Sequence, residues 1–322
     1  MSHGFVLLDK PNGMTSRGAG SRVARMFGAK TFGHVGTLDP MASGLLVIAL
    51  GEATKMVPYL GTGDRGQGTS EKEYEFSIQW GIRTDTDDIT GKIIEQNQSP
   101  VPSLQSLREA CASLIGEIWQ IPPAYSAVHI NGQRAYELAR AGKKVEIPAR
   151  KVQIDDLRLL IADLSEAKFV VQCSTGTYVR SLVQQIAEKI APSPQSPVPV
   201  LATCSMIRRT RMNGFSIKNA VALDFLENLY NNGGRAAIED YLQPMDFGLG
   251  DIPVQSLSEN DAKLFQNGGF IGGTGDQGLG TDGLVRIYSN KKFLGIGIIE
   301  SGILKPKRVL NNNQSPVPSP GD

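Results

Sequence analysis

The chain has 322 residues, 40% of them hydrophobic and 20% charged, and its 33 basic residues against 32 acidic ones leave a formal net charge of +1. That length exceeds one typical domain and can bury a substantial core, so one large domain plus a smaller one is expected, folding without disulfide staples. The three cysteines (Cys111, Cys173, Cys204) and three histidines (His3, His34, His129) are scattered, which argues against a disulfide framework and leaves no zinc-ligand spacing.

No metal and no cofactor are therefore expected, and the cysteine usage points to a reducing compartment. The first residues, MSHGFVLLDKPNG, carry one short apolar patch cut off by Asp9 and Lys10. This is too short for a secretory leader or a membrane span, so a cytoplasmic protein is expected. A near-neutral charge gives no overall basic footprint, and nucleic-acid binding would have to rest on local clusters. The candidates are Lys143-Lys144 with Arg150-Lys151, Arg208-Arg209 with Arg211, and Lys305 with Lys307-Arg308.

Taken in chain order, FVLLDK (residues 5–10) predicts a short strand closed by the Pro11-Asn12-Gly13 turn, and Thr15-Ser16 predicts the cap of a helix through Met26. Residues 33–55, GHVGTLDPMASGLLVIALGEATK, are the stretch around which the rest of the chain is organised. A glycine-punctuated loop carries the carboxylate of Asp39, and Pro40 keeps that residue out of helical geometry. The apolar run 45–50 then predicts a strand buried on both faces, followed by a helix-like GEATKMVPYL. An Asp-Pro pair in such a loop is by itself a turn; here it sets a charge at the edge of a core.

Residues 73–81, EYEFSIQWG, alternate as a strand with Tyr74, Phe76, Ile78 and Trp80 on one side. The acidic run around Asp85, Asp87 and Asp88 lacks the closing Glu of a calcium loop and predicts a structural turn. A helix is predicted from an N-cap at Ser103 to a C-cap at Gly116. A Pro-Pro-anchored strand, an Asn131-Gly132 hairpin turn and a helix QRAYELARAG come next. KFVVQC reads as a strand leading through STGTY to a helix that begins near Arg180. The segments GTGDRGQGTS and GTGDQGLGTD nearly repeat each other, and QSPVP occurs three times. Their G-x-G-x-x-G spacing has no strand before it and no helix after it, so they predict low-complexity surface inserts rather than a dinucleotide site.

Several of these strings together resemble the TruB family, the bacterial tRNA pseudouridine synthases: LLDKPNGMTS, GHVGTLDPMASG, the Tyr74 strand, TDTDD, IPPAYSAV, GTYVRSL and MIRRTRMNGFSI. The resemblance implies an α+β fold with a central mixed or antiparallel sheet flanked by helices and a small C-terminal PUA-like β-barrel. The implied division is 1–245 for the catalytic domain, with inserts near 61–70, 96–102 and 191–199, then 246–310 for the PUA-like domain and a disordered tail over 311–322. It further implies isomerisation of a T-arm uridine, conventionally U55, by a monomer whose partner is tRNA.

By the same resemblance Asp39 is catalytic, and Arg180 pairs with it and would hold it ionised and oriented. Tyr74 stacks on the uracil, Tyr178 lines the site, His34 enters the space the flipped base leaves, and Lys10 supports the site from the K-P-x-G motif. Glu73 stands where the family has an arginine. MIRRTRMNGFSI is expected to close the apolar wall over the base. The rival expectation is a tRNA-binding or tRNA-folding module with secondary or lost catalysis; the joint presence of Asp39, Tyr74 and Arg180 favours the enzyme.

Overall fold

The computed structural model describes residues 2–61, 72–97, 102–126, 128–130, 132–143, 146–163, 166–190, 199–272 and 279–311. The GTGD and QSPVP repeats, Asn131, Lys144 and the C-terminal tail lie wholly or mostly outside these residues.

The chain opens with β1 (Gly4–Lys10), α1 (Ser16–Met26), β2 (Phe32–Val35), β3 (Ser43–Leu50), β4 (Lys72–Trp80), β5 (Ile82–Thr84) and β6 (Ile93–Gln96). There follow α2 (Leu104–Ser113), β7 (Gly116–Gln120), β8 (His129–Ile130), β9 (Gln133–Arg134), α3 (Ala135–Arg140), β10 (Arg150–Ala162), β11 (Glu166–Cys173), α4 (Val179–Lys189) and β12 (Ala202–Met212). The remainder comprises β13 (Phe215–Ser216), β14 (Val221–Ala222), α5 (Leu223–Gly233), β15 (Val254–Ser256), α6 (Glu259–Gln266), β16 (Ile271–Gly272), β17 (Gly283–Ser289), β18 (Lys292–Glu300) and β19 (Ile303–Val309).

One mixed sheet runs in the order β14-β1-β3-β12-β4-β11-β10-β7, with β2 added to β3 and β13 to β12. Among the described residues of this sheet, only the β1–β14 and β3–β12 pairs are parallel. The apolar runs of β1 and β3 are buried on both faces because each face has its own core. Val6, Leu8, Leu46, Ile48 and Leu50 pack with the helices, through residues such as Val23, Leu107, Leu182 and Leu226. The alternate residues Phe5, Leu7, Leu45, Val47 and Ala49 pack against Phe293, Ile296 and Leu310 of the C-terminal part. Period-two alternation therefore splits one hydrophobic string between two cores. The C-terminal part is a five-stranded sheet, β15-β17-β18-β19-β16, curled over α6 around Phe265, Ile287 and Leu304.

β3 is also where the sheet forks. From Gly44 to Leu50 one edge pairs with β1. The other edge pairs with β12 at Ser43 and Gly44 and with β2 from Val47 to Leu50. Between the prongs, residues 36–42 connect β2 to β3, so the Asp39 loop sits in the fork.

Three boundaries differ from expectation. GEATKMVPYL forms two 3-10 turns, Gly51–Lys55 and Val57–Tyr59, instead of one α-helix. Gly51 has φ +56°, and Pro58 cannot donate the hydrogen bond a longer helix needs. The helix capped by Ser103 ends on Leu114, while Gly116, at φ +108°, opens β7. QRAYELARAG contributes only six helical residues because Gln133 and Arg134 pair with the strand before them.

Candidate active site

The Asp39 loop is tied down on both sides. The Ser16 hydroxyl, at the start of α1, accepts from the Leu38 amide at 2.8 Å and donates to the Leu38 carbonyl at 2.9 Å. The Gly13 amide donates to the Pro40 carbonyl at 2.8 Å, and the Ala42 amide to that of Asp39 at 3.0 Å. Leu38 and Met41 are buried on either side. What remains free to point outward is the Asp39 carboxylate, at 34% exposure.

Arg180 approaches it from the first turn of α4. Its Nη2 lies 2.8 Å from Asp39 Oδ2 and also donates to the Tyr125 carbonyl at 2.9 Å. Nη1 donates to the Thr86 carbonyl at 2.8 Å and lies 3.5 Å from Asp88 Oδ2. Asp88 is itself buried, and its other oxygen accepts from the Thr86 hydroxyl, the Thr90 amide and the Thr90 hydroxyl. The acidic turn thus does more than end a strand: it supplies a buried counter-charge for the arginine. The sequence signal was present in TDTDD, but nothing in it says that the turn folds back under α4.

Asp39, Tyr74, Tyr178 and Arg180 line one cleft of about 290 Å³, together with Lys72, Arg150 and Ile207. Tyr74 is only 7% exposed, and burial raises the proton affinity of its phenol, with the Arg209 guanidinium opposing that shift. Tyr178 is fixed from both sides: its amide donates to Gln120 Oε1 at 2.6 Å, and the Arg150 guanidinium lies over its ring at 4.8 Å. Arg150 also donates to the Gly176 carbonyl. Glu73, the departure at the Tyr74 strand, is engaged across the sheet by the Thr210 hydroxyl at 2.7 Å and Gln172 Nε2 at 3.0 Å.

Two expected site residues stand outside this lining. Lys10 has no exposed surface; its ammonium donates to the carbonyls of Pro11 at 2.8 Å and Met14 at 2.6 Å. Burial lowers its pKa to about 8, although the Asp39 charge works against that loss. Lys10 therefore acts as a buried charge near Asp39 rather than as a surface contact. His34 lies on β2 with Nε2 3.2 Å from the Thr37 hydroxyl. Burial first, then Arg209 and Arg17, depress its pKa.

The basic clusters also change meaning. Arg208 forms a two-pronged pair with Asp9 at 3.0 and 2.7 Å, Arg209 is wholly buried, and Lys151 pairs with Glu117 at 2.7 Å. These residues alternate on sheet strands, so a run that reads as a patch is divided between faces. Of the triplet around Arg209, only Arg211 is exposed.

The description "TruB family pseudouridylate synthase (N terminal domain)" matches residues 24–179, and "Pseudouridine synthase II TruB, C-terminal" matches residues 253–310. The chain belongs to the TruB family. It is similar to the tRNA pseudouridine synthase B of Bradyrhizobium diazoefficiens, 38% identical over 319 residues that cover 96% of this chain and 86% of that protein. The enzyme of the same name from Stutzerimonas stutzeri is 36% identical, covering 96% of both chains, and that from Caulobacter vibrioides is 41% identical over 80% of this chain and 78% of its own.

Among solved structures, an H/ACA RNP bound to a substrate RNA containing 2′-deoxyuridine superposes with a TM-score of 0.66 at 20% identity, covering 97% of this chain and 86% of that one. A Cbf5-Nop10-Gar1 complex gives 0.63 at 22%, covering 95% and 84%. Both speak for the pseudouridine-synthase fold of this TruB chain.

Proposed function

We propose that this protein converts a uridine in the T-arm of tRNA, U55 by convention, to pseudouridine, with Asp39 as the catalytic residue. Membership of the TruB family, and likeness over most of its length to enzymes named tRNA pseudouridine synthase B, make it a pseudouridine synthase acting on tRNA. The observation that carries the residue assignment is the Asp39–Arg180 pair at 2.8 Å in a cleft lined by two tyrosines.

The reaction breaks the bond from C1′ to N1 and joins C1′ to C5; C5 loses a proton and N1 gains one, so the product is an isomer. No electron donor or phosphate enters that balance. A base stacked in a folded loop lies beyond the reach of Asp39, so the uridine must be extruded, at a cost of a few kcal/mol. Tyr74 recovers part of it by stacking, worth about 1–3 kcal/mol. Arg180, anchored by two carbonyls and Asp88, keeps the carboxylate aimed while the substrate enters. Addition of Asp39 to C6, attack at C1′ and removal of the C2′ proton all use the same ionised carboxylate.

The test is incubation of the purified protein with an unmodified tRNA transcript, followed by mapping of pseudouridine. A single modified site in the T-arm is expected. No pseudouridine in the T-arm, with the protein folded and binding the tRNA, would overturn the reading.

A further inference from the structure

Arg209 is the largest side chain in the described structure with no exposed surface. It lies on β12 opposite Tyr74 of β4, so the two side chains leave the sheet on the same face as direct neighbours. Its guanidinium fills the fork at β3. Nε donates to the Leu45 carbonyl at 2.8 Å and Nη2 to the Gly36 carbonyl at 2.8 Å. Leu45 sits past the last residue paired with β12 and before the first paired with β2, and Gly36 follows the end of β2. The arginine thus supplies donors where the ladder parts.

Closing a fork does not need a full charge, and this one is costly to hold. Among the described residues no carboxylate forms an ion pair with Arg209, and Nη1 has no hydrogen-bond partner although it is buried. Arginine cannot shed its proton to escape that penalty. Nη1 lies under Gly36, where an added Cβ would come within 3.1 Å of it, and Gly36 and Tyr74 are both walls of the Asp39 cleft. The unneutralised charge therefore stands directly behind the place where the base would lie.

We propose that Arg209 is a positioning residue for the isomerisation, clamping the turn that presents Asp39 to the strand that presents Tyr74 and holding a fixed positive charge behind the uracil. This rests on the proposed conversion of a tRNA uridine in the Asp39 cleft. When the bond from C1′ to N1 breaks, its electron pair stays on the base, which is anionic until C5 uses a pair to join C1′; C5 then passes on its proton and N1 takes one up. A preorganised cation in a water-poor wall stabilises that charge without reorganising.

The experiment compares Arg209→Gln and Arg209→Lys with the unaltered protein, measuring folding by thermal melting, tRNA affinity by filter binding, and the single-turnover rate of pseudouridine formation at saturating protein. The glutamine variant is expected to bind tRNA within about 3-fold of normal yet react about 100-fold more slowly, and lysine, which restores the charge, to recover at least about 10-fold of that loss. Equal rates for Gln and Lys, a normal rate for Gln, or a defect confined to affinity would overturn the proposal. If the glutamine variant does not fold, the lysine variant decides alone: a rate about 3- to 10-fold below normal at unchanged affinity supports it, and a normal rate, a deeper loss or a loss of affinity only overturns it. Failure of the unaltered protein to form pseudouridine is a different result, counting against the uridine reading itself.

Discussion

Arg180 and Asp39 meet at 2.8 Å with unequal burial: the arginine side chain is 3% exposed and the aspartate 34%. The cation is therefore the fixed member and the carboxylate the presented one. Arg180 is held by the Thr86 and Tyr125 carbonyls and by Asp88, so its position does not depend on Asp39. Substituting Arg180 by Lys keeps the charge but replaces a planar fork with a single head that cannot reach the Thr86 and Tyr125 carbonyls, Asp88 and Asp39 at once. The protein is expected to fold and to lose about 100-fold in single-turnover rate, the scale of a misplaced reacting group. A rate within a few fold of normal would mean that charge without geometry suffices.

Gly44 holds the fork open. It has φ +101°, and a Cβ there would come 2.4 Å from the Arg209 carbonyl oxygen. Gly44→Ala is expected to destabilise the fold by more than about 1 kcal/mol, because left-handed backbone and a backbone collision act together. Gly13, at φ +82° with open space around it, is the control and should lose less on the same change. Urea denaturation of the two variants measures the difference; equal losses would contradict it.

Lys10 gives the protein a pH signature. Its pKa falls to about 8 in the fold, below its ordinary unfolded value near 10.5, so between those limits the unfolded chain binds more protons than the folded one. Stability from this group must then rise as pH increases through that window. The stability of the unaltered protein relative to Lys10→Met is predicted to improve from pH 7 to pH 10, whatever alkaline losses both share. Melting temperatures across that range check the sign, and a difference, unaltered minus variant, that falls or stays constant would refute it.

Tyr74 separates stacking from hydroxyl chemistry. Tyr74→Phe keeps the ring in the cleft wall and is expected to bind tRNA with unchanged affinity. Tyr74→Leu removes the aromatic face and is expected to weaken binding by up to about 1–3 kcal/mol. Filter binding of both variants distinguishes them, and equal affinities would exclude a stacking role.

Much of this site was legible in the residues. The Asp-Pro loop before a doubly buried strand, the alternating Tyr74 strand and the helix that begins near Arg180 were all readable, because each depends on local periodicity and turn chemistry. Asp88 was not, since its counter-charge role needs a turn and a helix far apart in sequence to meet. Arg209 was misread as part of a surface cluster because periodicity alone does not say that β12 is a central strand. The alternation of β1 and β3 was visible only as an unbroken apolar run. That Phe5, Leu7 and Leu45 face Phe293 and Ile296 across a second core is a long-range fact.

The most direct test of the catalytic assignment is Asp39→Asn, which swaps one carboxylate oxygen for an amide at nearly constant shape. Tritium release from 5-tritiated uridine in tRNA measures turnover, and filter binding of the same preparation measures affinity. Loss of all detectable release with tRNA binding within a few fold of normal is the predicted result. Continued release at a rate comparable to the unaltered protein would contradict the assignment of Asp39 as the catalytic residue.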